Sequence, residues 1–142
     1  MTSTVWWGAA DPATAAWSAP ADPTAVGEAR HLVAQFLTMW HLEELHTEVT
    51  TTVSELVTNA VLHGCAPIAV TMIRSGRFLR VQVADSSPAW NLPAGTATLE
   101  DEGGRGLQIV EAYTHEWGVK PELDGGKTVW AQWDIPPPRP AT

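Results

Sequence analysis

Glu55-Leu56-Val57-Thr58-Asn59-Ala60-Val61-Leu62-His63 places a carboxylate, a carboxamide and an imidazole at steps of four in an otherwise largely apolar segment. On a helix, residues four apart share a face and lie about 6 Å apart along the axis. Glu55, Asn59 and His63 therefore form one polar row. Leu56, Val57, Ala60 and Val61, with Val53 one turn earlier, supply the apolar side. A merely solvated face is usually built from Lys and Glu. This row instead combines a group that can take a proton with an amide oxygen that can ligate a hard cation such as Mg²⁺. On the row alone, a solvated face with an ordinary His near the helix end and a chemical site are both open.

Two further segments bear on the choice. Leu79-Arg80-Val81-Gln82-Val83-Ala84-Asp85 alternates as a strand does and ends in a carboxylate, followed by the turn-forming Ser86-Ser87-Pro88. Glu102-Gly103-Gly104-Arg105-Gly106-Leu107 is a glycine-rich turn leading directly into a helical pattern. Glycines at a helix start let the backbone approach a phosphate, and the free N–H groups there stabilise negative charge. A short Gly-x-Gly is weak by itself. The ordered set of helix row, strand-terminal Asp and glycine-rich helix start is far more specific.

That set resembles the GHKL (histidine-kinase-like, Bergerat-fold) ATPases, in particular the stand-alone anti-sigma-factor serine/threonine kinases and their actinobacterial ATP-binding relatives. The resemblance spans residues 17–133. Glu55-x-x-x-Asn59 is similar to the family's N box, Asp85 to the start of its G1 box, and Gly104-Arg105-Gly106-Leu107 to its G2 box. Gly126-Lys127-Thr128-Val129-Trp130 is similar to the family's last strand. The chain departs from the pattern after Asp85, where Ser86-Ser87-Pro88 stand in place of the usual glycines.

The resemblance implies an α+β fold, a two-layer α/β sandwich in which helices pack on one face of a mixed, mostly antiparallel sheet. It implies ATP and Mg²⁺ as cofactors. Asp85 would accept a hydrogen bond from the adenine amino group, with Thr128 helping to hold that carboxylate and an adenine-bound water. Asn59 would ligate Mg²⁺ through its side-chain oxygen, and Gly104, Gly106 and Leu107 would let the helix start close over the phosphates. Arg105 would pair with phosphate, or simply point outward from the helix start. His63 would line the site, and Glu55 would be the base that activates a hydroxyl. The implied partners are a sigma factor, an anti-sigma antagonist, or both. Two function classes stay open: a protein serine/threonine kinase, or a nucleotide-responsive binding module without transfer activity. A homodimer is also open.

Composition sets outer bounds. At 142 residues the chain suits a single domain. Its 16 acidic against 8 basic residues, a formal charge of −8, leave no basic stripe for nucleic acid. One cysteine, Cys65, excludes an internal disulfide framework. No segment has the length and apolarity of a membrane span or a signal peptide, so a cytoplasmic, membrane-free protein is expected. The pair His41 and His46, at a loop-to-helix boundary, has no acidic third ligand with matching geometry to suggest zinc.

Along the chain, residues 1–13 read as a flexible arm, a strand only if a partner or second subunit supplies an edge. Residues 14–135 read as the ATP-binding domain, and the proline-rich residues 136–142 as an extended tail. Residues 15–19 suit a short strand. Asp22-Pro23 suits a cap and first helical position ahead of the repeat Val26, Ala29, Leu32, Val33, Phe36, Leu37 and Trp40. A second helix is expected over 43–63 and a hairpin over 67–74 and 77–84, turning at Ser75-Gly76. Residues 86–103, a long connection of little periodicity, resemble the family's ATP lid, a merely mobile loop being the alternative; 105–116 read as a third helix, and 117–120 and 127–134 as two strands. Of the eight tryptophans, Trp40, Trp117 and Trp130 are expected in the core, Trp90 in the lid, and Trp133 on either face.

Overall fold

The computed structural model describes residues 5–8, 13–63, 67–87 and 114–135. Six strands form one sheet in the order β1-β2-β3-β4-β6-β5: β1 (Val5–Gly8), β2 (Ala13–Ala19), β3 (Ile68–Arg74), β4 (Phe78–Asp85), β5 (Glu116–Pro121) and β6 (Lys127–Asp134). All described pairings are antiparallel, so the sheet expected to be mixed is uniform among the described residues. Two helices, α1 (Thr24–Met39) and α2 (His46–His63), pack on one another and cover one face. The α+β two-layer sandwich is the fold.

Alternation along the strands assigns the faces. Ala15, Trp17, Val70, Met72, Leu79, Val81, Val83, Ala131 and Trp133 are buried inward against Val33, Phe36 and Leu37 of α1 and Val49, Val53, Leu56, Val57 and Ala60 of α2. Trp17 stacks on Phe36 at 6.4 Å, and Phe36 meets Trp40 at 5.5 Å. Trp133 is fully buried and completes the core. Trp130 does not belong there. β6 turns Val129, Ala131 and Trp133 inward, which sends Trp130 to the outer face. Its indole lies against Gly118, where a Cβ would come within 2.8 Å of the ring, and the Arg80 guanidinium sits 4.3 Å from the ring centroid.

The helix starts follow local chemistry. The Asp22 carboxylate accepts hydrogen bonds from the backbone N–H and the hydroxyl of Thr24, each at 2.9 Å, and Pro23 already has helical φ and ψ. The second helical segment opens as a 3₁₀ turn (Glu43–Leu45) before α2 proper. At the N-terminus the expected arm contains β1, and its edge comes from the chain's own β2, with Val5 opposite Trp17 and Gly8 opposite Thr14. Alternation is too short over four residues to reveal such a strand. The third helix expected over 105–116 lies outside the described residues up to 113, and its described end is not helical: Thr114 and His115 are irregular and Glu116 opens β5.

Candidate functional site

β3 begins beside the end of β4, because Ala69 pairs with Ala84. α2 ends at His63, five residues before β3 begins at Ile68. That short connection brings the Asn59–His63 end of α2 to the same end of the sandwich as Asp85. Asp85 pairs directly with Lys127, so the start of β6 lies at this end too.

Asp85 and Lys127 both point inward and are nearly sealed, their side chains 3% and 4% exposed. The Lys127 ammonium donates to Oδ1 and Oδ2 of Asp85, each at 2.9 Å, and also to the Ser87 hydroxyl. Ser87 in turn donates to Asp85 Oδ1 from its backbone N–H (2.8 Å) and its hydroxyl (2.6 Å). The carboxylate thus carries a serine and a lysine as a clasp. The turn before β6 fits closely beneath it. Gly125 has φ +93°, a conformation that favours glycine. The Gly126 N–H donates to Asp124 Oδ1 at 2.9 Å, and a Cβ on Gly126 would collide with the carbonyl oxygen of Asp85.

Thr128, expected to hold Asp85, is buried but opposite Ala84, on the face away from the carboxylate. The register gives that task to Lys127. Sequence reading missed it because a lysine at a strand start looks like an ordinary solvated residue. Its pairing with Asp85 appears only once β4 and β6 are aligned.

Glu55 and Asn59 are both half-buried on α2. Glu55 lines a groove of about 570 Å³ running between α1 and α2, together with Arg30, His31, Thr51 and Ser54, and Asn59 lies outside that lining. His63 is the last residue of α2. Gly104, Arg105, Gly106 and Leu107, and most of the expected lid with Trp90, lie outside the described residues.

A sequence model of the histidine kinase-like ATPase domain matches residues 19–133. The chain belongs to the histidine kinase-like ATPase domain family. No curated protein matches it. Among solved structures it is similar to the RsbU and RsbW domains of Rv1364c from Mycobacterium tuberculosis, with a TM-score of 0.61 and 21% identity. The match covers 86% of this chain and 33% of that one, so the chain spans about a third of its length. At that identity the likeness shows the fold.

The nucleotide that the family implies fits the chemistry of the acceptor. Oδ2 of Asp85 accepts only from Lys127 among the described residues and keeps a lone pair, and an adenine amino group is a donor. No helix among the described residues is long and apolar enough to cross a membrane.

Proposed function

We propose that the chain is an ATP-binding regulatory protein of the anti-sigma-factor kinase type, transferring phosphate from Mg-ATP to a serine or threonine of an antagonist protein. The observation that carries this reading is the inward-facing Asp85 carboxylate at the same end of the sandwich as the Asn59 end of α2. Bound Mg-ATP would supply the phosphoryl group. Asp85 would accept from the adenine amine, a fixed anion strengthening that hydrogen bond. Asn59 would offer its amide oxygen to Mg²⁺. Glu55, half-buried and bordering an open groove, would take the proton of the incoming hydroxyl. Gly104, Arg105, Gly106 and Leu107 would hold the phosphates, and His63 would line the site.

A second reading, a nucleotide-responsive binding module controlling a sigma factor, is favoured by one observation. Ser87, where the family has glycines, is tied to Asp85 and not free to follow a nucleotide. Incubation with labelled ATP and candidate antagonist proteins separates the two. Label on a serine or threonine of the antagonist supports the kinase. ATP binding without transfer or hydrolysis supports the module.

A further inference from the structure

A buried ion pair is poor evidence for stability, since desolvating both charges offsets most of their attraction. A lysine pointed into the interior at β6 therefore calls for another explanation. All three of its N–H donors are used, two on the Asp85 carboxylate and one on the Ser87 hydroxyl. Both carboxylate oxygens already accept from Lys127 and the side chain is 3% exposed, so an incoming donor competes with this clasp for Asp85.

We propose that Lys127 is an affinity-determining residue of the nucleotide site, an internal cation holding the acceptor that the amino group of an adenine nucleotide must claim. The inference rests on the nucleotide-site reading above. Ser87 is the second half of the device. It is fastened to Asp85 by both its N–H and its hydroxyl, so the segment leaving β4 is tied to the same carboxylate. The clasp also keeps the carboxylate compensated while no nucleotide is bound, which an unpaired buried anion would not be.

The test uses the full chain and two measurements, calorimetric titration with Mg-ATP and thermal unfolding without nucleotide. Lys127→Met removes the competing charge at similar length. It should lower the melting temperature and yet tighten Mg-ATP binding by roughly tenfold or more, the scale of a hydrogen bond to a charged group. Ser87→Ala removes one donor, leaves the ion pair, and should tighten binding by a smaller factor. Lower stability combined with higher affinity is the signature, because a purely structural lysine would lower both. Unchanged or weaker binding in a folded Lys127→Met, or in Ser87→Ala if the former does not fold, overturns the proposal. Absence of Mg-ATP binding in wild type and every variant overturns the nucleotide reading itself. Binding that appears only in the variants supports the clasp most directly.

Discussion

Gly126 lies against the backbone of Asp85 so closely that any side chain there would meet the Asp85 carbonyl oxygen. The obstacle is backbone, which cannot swing aside as a side-chain end does. Gly126→Ala should therefore cost about 1–3 kcal/mol, the usual scale of forced overpacking. Chemical denaturation measures it. An unchanged midpoint and slope would mean that β4 and β6 separate freely at this end.

Asp85→Asn leaves the Lys127 ammonium buried without a counter-charge. Removing one partner of a buried pair typically costs about 3–5 kcal/mol, mostly the penalty of the stranded charge. Lys127→Met should cost a similar amount, and the double variant should lose much less than the two together, a coupling that denaturation of all four proteins reads directly. ATP affinity should fall in Asp85→Asn, opposite to the effect at Lys127. Additive losses would show that the two side chains are not paired in solution.

Glu55 and Asn59 share a ridge and should fail differently. Asn59→Ala removes an amide oxygen, so Mg-ATP binding weakens and transfer with it. Glu55→Gln keeps size and polarity but takes no proton, so nucleotide binds while transfer drops by roughly 10²–10⁴. Equal transfer by Glu55→Gln and wild type would remove Glu55 as the base.

The hairpin and the first helix were legible before any coordinates. Alternation along Ile68–Arg74 and Phe78–Asp85, with the turn Ser75-Gly76-Arg77 between, favours a register that buries Val70, Met72, Leu79, Val81 and Val83 together. β6 spans the expected residues. The placement of the candidate residues was legible only where one element carries it. Glu55 and Asn59 are spaced by a single helix, and Asp85 ends a single strand. Lys127 matters through a partner on another strand, and Thr128 was misplaced by one position, which in a pleated strand is enough to send a side chain to the opposite face. Trp130 was misjudged likewise, since bulk and a periodic context do not say which face of β6 it takes.

The Asp22 carboxylate at the start of α1 is held below its ordinary range, chiefly by the Thr24 backbone N–H and then by the Thr24 hydroxyl, despite a small opposing effect of burial. A folded value below the unfolded one means that the carboxylate contributes stability above the unfolded value of 3.8 and loses it as pH falls through the folded one. Asp22→Ala should thus melt below wild type at neutral pH, and the difference should shrink as the pH drops beneath that range. A gap that persists in acid would assign the effect to something other than the ionised cap.

The two rims of the sheet are unlike. β5 ends the strand order with Glu116, Lys120 and Pro121, charges and a proline that discourage a further strand. β1, Val5-Trp6-Trp7-Gly8, ends it on the other side with neither a charge nor a proline, and among the described residues it pairs only with β2. Strand addition from a neighbouring copy should therefore meet less resistance at the β1 rim than at the β5 rim, and a charge introduced into β1 should lower any concentration-dependent association.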